Sequence, residues 1–386
     1  MQKAYTIEIL DNDGDLVTPV KILAPINLAK DTIYITYRLS NWGQCKFRVS
    51  TKDPLFETVG DVLEPFRYHV RVLRFGVEVW RGVIANNPER NNRYVEVVAY
   101  SYLFLLKKIL IRHDASVTPG DGLDNYKTFN SGTMSSAITT IINNAIADVG
   151  SNNPLAGLTI GTIQNPNYPA NYTDTSGNPM TGEWNFSASL TLQYDYRSAM
   201  YVIGSMGQYT GSDFEITHDL EFNFQNFIGN RVANKTFTYG AYGNILDYNV
   251  PRYGERMSNS IVGVAADFGN QILHVEQSDS ASMSTYGKIQ EVAAYIDVKN
   301  TNALKSRLNE ELRLVSTPES EVHLKLNDKS PQLGEYNIGD IITIDIDDGV
   351  VQYRQKERRI VGINITVANN GSDNITLITN KPKDGI

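Results

Sequence analysis

Apolar and polar residues alternate in short segments through the first 110 residues, a pattern typical of strands with one buried face. Turn sequences separate the segments, including Phe75-Gly76 and an Asn- and Pro-rich stretch at 86–92. The pattern predicts a small antiparallel β-barrel over residues 1–110 that ends in a short helical turn at 101–108. The predicted strands are 5–10, 33–38, 45–50, 69–75, 77–85 and 94–100.

Helical spacing replaces the alternation after residue 111. Apolar residues recur every three or four positions from Met134 to Val149, which predicts a helix. A second helix is predicted from a cap at Asp195, followed by a strand pair at 214–224. Residues 151–189 are rich in Asn, Gly, Pro and Tyr, so we predict a long polar surface excursion with little role in the core. Together, residues 111–243 are predicted to be an α+β insert.

Alternation returns in the last third of the chain. We predict that residues 244–275 and 321–386 form a second small antiparallel β-barrel. Between them, residues 276–320 are predicted to be a small helical insert, with a Ser-rich connection at 278–284 and a helix at 301–315. The predicted fold class is therefore mainly β, with two barrels and two inserted domains.

A short internal repeat relates the two predicted barrels. Residues 79–85 and 359–365 are both strand-like, follow a hairpin turn and lead through an Asn-rich turn to another strand. A duplicated barrel would produce such a repeat. Unrelated hairpins also share these turn residues, so both interpretations stay open at this level.

Composition narrows the class of function. A chain of 386 residues exceeds one ordinary core, so we expect two to four compact units. With 43 acidic and 35 basic residues the net charge is -8, which argues against sequence-specific nucleic-acid binding. No apolar run reaches the roughly 20 residues of a membrane span. No signal-like stretch follows Met1, so we expect a soluble protein made in a cytoplasm.

Motifs for catalysis are absent from the sequence, which has no nucleophile elbow, P-loop or metalloprotease helix. Cys45 is expected to be a buried thiol. The acidic sequences at 11–15 and 345–349 indicate hairpin turns, because the first lacks the Gly and Glu of a calcium loop. The histidines are scattered, at His69, His113, His218, His274 and His323. We predict no catalytic residue, no metal site and no cofactor.

Aromatic residues offer a different kind of site. Trp80 lies in an alternating strand and is predicted to be in the core. Trp184, Tyr168 and Tyr172 lie in the polar segment 151–189, where contact with a sugar or a protein partner is an alternative to packing.

Several motifs occur in a characteristic order: residues 74–83 (RFGVEVWRGV), 94–107 (YVEVVAYSYLFLLK), the step from Asp279 to Tyr286-Gly287, residues 336–340 (YNIGD), and Arg358-Arg359-Ile360. This order resembles the tail-tip hub, or baseplate hub, proteins of bacteriophages and the related hubs of contractile injection machines. The resemblance spans most of the chain.

The resemblance implies a homotrimer whose subunits each contribute two related barrels to a ring at the virion tail tip, assembled in the host cytoplasm. It implies contacts with a ring of distal tail protein, with the tape-measure protein, and with tail fibre, spike or receptor-binding proteins. Because the last strand is followed closely by Ile386, we expect cell-wall cleavage to belong to another protein.

Three functions stay open from the sequence. The resemblance favours a structural tail hub without enzymatic activity. The tyrosine-rich segment 151–189 would suit a receptor- or carbohydrate-binding minor tail protein. A cell-wall hydrolase with an unrecognised carboxylate pair is the third alternative, since 43 acidic residues always permit such a pair.

Overall fold

The structure is a computed structural model and is mainly β, as predicted. It describes residues 5–11, 16–20, 31–53, 63–87, 90–111, 126–129, 131–149, 155, 157–168, 181–186, 192–195, 197–266, 272–295, 298, 301–327, 330–349, 351–368 and 372–382. None of the helices in these ranges could span a lipid bilayer.

The alternating segments of the first 100 residues form strands, as predicted. They are β1 (Tyr5–Leu10), β2 (Leu16–Val20), β3 (Asp31–Arg38), β4 (Gln44–Ser50), β5 (His69–Arg74), β6 (Val77–Asn86) and β7 (Tyr94–Tyr100). Phe75 and Gly76 turn β5 into β6 with φ angles of 51° and 84°, the left-handed conformation of a tight hairpin turn. A 3₁₀ helix, Tyr102–Lys108, occupies the predicted helical turn.

The middle of the chain contains two helices, α1 (Met134–Val149) and α2 (Ala199–Thr210). Helix α1 has the predicted bounds. Helix α2 begins after Ser198 instead of Asp195, because the Ser198 hydroxyl accepts a hydrogen bond from the Tyr201 amide at 3.2 Å. The strands are β8 (Tyr126–Phe129), β9 (Gly132–Thr133), β10 (Thr159–Ile163), β11 (Asn185–Phe186), β12 (Leu192–Asp195), β13 (Asp213–Ile216) and β14 (Glu221–Gln225).

The last third contains two further helices, α3 (Ser280–Tyr286) and α4 (Thr301–Val315), and a 3₁₀ turn, Gly254–Arg256. Helix α4 has the predicted bounds. Helix α3 replaces the predicted Ser-rich connection, because the Asp279 carboxylate accepts a hydrogen bond from the Ser282 amide and caps the helix. The strands are β15 (Arg231–Thr238), β16 (Ile245–Asn249), β17 (Arg252–Tyr253), β18 (Ser260–Ala266), β19 (Ile272–Ser278), β20 (Gln290–Tyr295), β21 (Glu319–Ser320), β22 (Val322–Leu326), β23 (Ile341–Asp347), β24 (Gln352–Ala368) and β25 (Asp373–Asn380).

Strands from both ends of the chain form one 13-stranded sheet. Its order is β16-β22-β25-β24-β3-β4-β7-β6-β5-β1-β2, and β23 joins β15 to β24. The first half of this sheet is β1–β7, and the second half is β15, β16 and β22–β25. The halves are joined by an antiparallel ladder between β3 and β24, from Arg38 opposite Gly362 to Asp31 opposite Ala368.

The two halves share one strand order. In the first half, the order of neighbouring strands is β3-β4-β7-β6-β5. In the second half, it is β16-β22-β25-β24-β23. Every pairing in both series is antiparallel, and the strands of each series follow the same order along the chain. The internal repeat at 79–85 and 359–365 falls in β6 and β24, which are equivalent strands in this comparison.

The two predicted small antiparallel barrels are not confirmed, because no sheet formed by the described strands closes on itself. In the second half, β15 and β16 meet only at an isolated bridge between Tyr239 and Ile245. Strand β24 continues past its pairing with β23 and pairs with β3. Its hydrogen bonds therefore connect the second half to the first half instead of closing either half.

Strands β18 and β19 also differ from the prediction, which assigned them to the second barrel. They form a separate three-stranded sheet with β20. Leu304 and Leu308 of α4 are fully buried, and a Cβ at Gly263 of β18 would lie 2.8 Å from Leu308. Glycine therefore allows α4 to approach this sheet closely. Alternation predicted the strands correctly but not the sheet that they join.

Apolar side chains form two separate buried clusters. One lies within the large sheet and includes Trp80, which is 1% exposed, and Cys45, both in the core as predicted. Burial raises the pKa of the Cys45 thiol. The other cluster lies among α1, α2, α4 and the smaller sheets.

Candidate functional site

The segment 151–189 contributes to the second cluster, so the prediction that it has little role in the core is wrong. Leu155 and Leu158 are buried, and Trp184 is fully buried. The Tyr168 ring lies 5.1 Å from the Trp184 ring, and its hydroxyl donates to the Asn185 carbonyl at 3.0 Å. Trp184 is thus unavailable as a surface contact for a sugar or a partner. Tyr172 lies outside the described residues.

An ion pair buried between distant elements fixes the middle of the chain to the large sheet. Arg359 of β24 donates to the Asp213 carboxylate of β13 at 2.5 Å, and their side chains are 3% and 5% exposed. The guanidinium also donates to the carbonyls of Ile228 (2.7 Å) and Gly339 (3.0 Å). Asp213 accepts a further bond from the Ile228 amide. The pair was not predicted, because 146 positions separate its members.

A second polar contact lies where the two halves of the large sheet meet. Asp373, the first residue of β25, accepts a hydrogen bond from the Tyr5 hydroxyl at 2.7 Å. The Arg74 guanidinium lies 3.0 Å from the same carboxylate and 5.4 Å from the Phe75 ring. The end of β5 in the first half is therefore held against the start of β25 in the second half.

The opposite end of the second half carries exposed apolar and acidic side chains. Tyr242 is 96% exposed in the β15–β16 loop, and Leu246, a bulged residue of the edge strand β16, is 55% exposed. Asp247 is exposed beside them. Asp348, in the β23–β24 turn next to Asp347, accepts a hydrogen bond from the Tyr248 hydroxyl of β16. We refer to Tyr242, Leu246, Asp247, Asp347 and Asp348 as the β16 edge.

Exposed apolar groups of this kind are typical of protein contact surfaces. Two more such groups lie elsewhere: Phe75 and Val77 at the β5–β6 turn, and Ile272 and Val292 on the three-stranded sheet. An open sheet edge with exposed apolar residues can also pair with or pack against another chain. The described surfaces are therefore suited to assembly.

The histidines are not brought together. His218 lies 3.4 Å from Glu78, His323 pairs with a neighbouring glutamate, and His274 is exposed. His113 lies outside the described residues. Within the described ranges, no three His, Cys, Asp or Glu side chains are grouped to hold a metal ion. Turns occur at Asp347-Asp348-Gly349, as predicted, whereas most of 11–15 is outside the described residues.

His69 is buried, and its titration gives a testable pH dependence. Its Nδ1 lies 2.7 Å from the Tyr102 hydroxyl, and burial with the nearby Arg81 charge lowers the pKa of His69 to about 4. The unfolded chain binds this proton near pH 6.5, so stability should fall as the pH drops from 6.5 towards 4, by about 3 kcal/mol. His69→Asn should reduce this pH dependence in urea unfolding. Exposed His274→Asn is the control, and an equal loss of pH dependence in both variants would contradict the assignment.

No protein-family model matches the chain, and no curated protein matches its sequence. Solved structures do match. A tail protein from Neisseria meningitidis MC58 superposes with a TM-score of 0.61 at 10% identity, covering 99% of this chain and 98% of that one. The 43 kDa tail protein of prophage MuSo2 from Shewanella oneidensis gives 0.58 at 12% identity, covering 99% and 97%.

A third structure, prophage tail protein gp18 from Listeria monocytogenes EGD-e, gives a TM-score of 0.51 at 12% identity and covers 98% of this chain and 95% of that one. Coverage near the full length of each chain means that the halves and the inserts are matched together. The chain therefore has the fold of these phage tail proteins, which confirms the fold family that the resemblance implied.

Proposed function

We propose that this chain, with the fold of a phage tail protein, is a structural hub subunit that closes the distal end of a tail tube and organises the tail-tip proteins. The strand order shared by its two halves carries the proposal. The resemblance implies a tube built from sixfold rings. Three copies of a chain with two similar halves present six similar faces, so a trimer can match such a ring.

In this proposal the trimer surrounds a bore through which the tape-measure protein and DNA pass. The net charge of -8 supports passage without binding, because acidic walls repel phosphate. The ring contacts distal tail protein on one side, and tail fibre, spike or receptor-binding proteins on the other. Its location is the virion tail tip, after assembly in the host cytoplasm.

The proposed role is non-enzymatic. A carbohydrate-binding role is less well supported, because Trp184 is buried in the core. A glycan array tests that alternative. Hydrolysis of purified peptidoglycan, lost on replacement of one Asp or Glu, would favour the hydrolase instead.

The trimer gives the first test of the proposed function. Light scattering at micromolar concentration should give three times the subunit mass of 43.1 kDa. Class averages of the same sample should show a ring of six lobes, two from each chain. A monomeric protein under these conditions, or a ring with three lobes, would contradict the proposal.

A further inference from the structure

We propose that the β16 edge of one copy binds the β6–β7 turn of the next copy, and that opposite charges on the two surfaces set the order of halves around the ring. The inference rests on the proposed trimer. It follows from the shared strand order. The two halves of one chain contact each other through one pair of surfaces. The equivalent pair of surfaces, at the far ends of the two halves, is unoccupied in a single chain.

The contact inside one chain serves as the template. There, β3 and the end of β5, next to the β5–β6 turn, lie against β24 and the start of β25, next to the β24–β25 turn. The equivalent of β3 is β16, and the equivalent of the β5–β6 turn is the β23–β24 turn. The equivalent of the β24–β25 turn is the β6–β7 turn. Repeating the contact between copies therefore places the β16 edge on the neighbour's β6–β7 turn.

The charges of the two surfaces are complementary. The β23–β24 turn carries Asp347, which pairs with Arg354 of β24 in its own chain, and Asp348, with Asp247 nearby on β16. The β6–β7 turn carries Arg90 and Arg93, both exposed. A ring in which these turns meet brings carboxylates to guanidinium groups, a pairing that favours association.

The signs are reversed relative to the contact inside one chain, where the β5–β6 turn supplies Arg74 and the β24–β25 turn supplies Asp373. A wrongly ordered ring would join two β16 edges, with Asp348 against Asp348, or two β6–β7 turns, with Arg93 against Arg93. Such like-charge contacts oppose the wrong order. The arrangement therefore selects rings in which first and second halves alternate.

Burial of apolar side chains supplies the attraction between the copies, and the charges set how the copies are oriented. Tyr242 and Leu246 are 96% and 55% exposed in one copy, and the proposed contact would cover them.

The proposed contact between copies differs in one respect from the contact inside one chain. The backbone of Ile84 in β6 already bonds to Phe66 and Tyr68, at 2.7 and 2.9 Å. The copies are thus joined through side chains there, without a continuous ladder.

Charge reversal tests the surface. Arg93→Asp should weaken trimer formation about tenfold or more in sedimentation experiments, because it places like charges together. The control Lys288→Asp reverses a basic side chain that is 44% exposed on the small insert, where it pairs with Glu276, and it should assemble normally. A wild-type trimer combined with unchanged assembly of Arg93→Asp would overturn the inference while leaving the proposed function intact. A monomeric wild type would overturn the proposed function itself.

Two further experiments keep the test independent of folding. Tyr242→Ser removes a side chain that makes little contact within its own chain, so it should weaken the trimer without changing monomer stability. In a cycle with Arg93→Ala, Asp247→Ala should weaken assembly only when Arg93 is present, and Asp247 is used because Asp347 already pairs with Arg354. Fully additive effects, or normal assembly of Tyr242→Ser, would count against the contact.

Discussion

Replacing Arg359 by Met should lower the free energy of unfolding by about 3–5 kcal/mol. The substitution leaves Asp213 as a buried carboxylate without its guanidinium and removes a donor from two buried carbonyl groups. An uncompensated buried charge costs far more than an exposed one, because neither water nor a counterion can solvate it. Urea unfolding monitored by tryptophan fluorescence measures the effect.

The double variant Arg359→Met/Asp213→Leu is the control for this prediction. It removes both charges, so part of the stability should return, although the Ile228 amide still loses its acceptor. The two single losses should therefore sum to more than the loss in the double variant. Additive losses, or a loss below about 1 kcal/mol for Arg359→Met, would show that the ion pair does not hold these elements together.

Replacing Trp184 by Ala should cost about 3–5 kcal/mol, because the indole is fully buried and the alanine leaves a large cavity. Trp184→Phe keeps most of the volume and should cost less. The same urea titration, monitored by circular dichroism, compares the two variants. An effect of Trp184→Ala within 0.5 kcal/mol, as is usual for surface positions, would mean that this segment packs loosely on the core.

Periodic segments were predictable from sequence because their own residues determine them. Helices α1 and α4 have the predicted bounds, since an apolar stripe at helical spacing requires no information about distant partners. Trp80 was placed in the core for the same reason, because it lies on the buried face of an alternating strand. The motif order that indicated a tail protein was built from such segments.

What sequence alone could not predict depends on partners far along the chain. Strands β18 and β19 alternate in the same way as the strands of the large sheet, but they lie in a separate sheet that packs against α4, a later element of the chain. Trp184 sits among polar residues, so no periodic stripe marks it as buried. Arg359 belongs to one of the sequence motifs, but nothing near it in sequence indicates Asp213.

The pairing of β3 with β24 also has a consequence for how the chain folds while it is being synthesised. Strand β3 is complete at Arg38, but its partner is complete only at Ala368. At ribosomal rates of roughly 5–20 residues per second, this edge waits on the order of tens of seconds for its pairing strand. During that time an unpaired edge is open to other nascent chains. Slow translation, or crowding of several chains on one message, should therefore reduce the soluble yield of this protein.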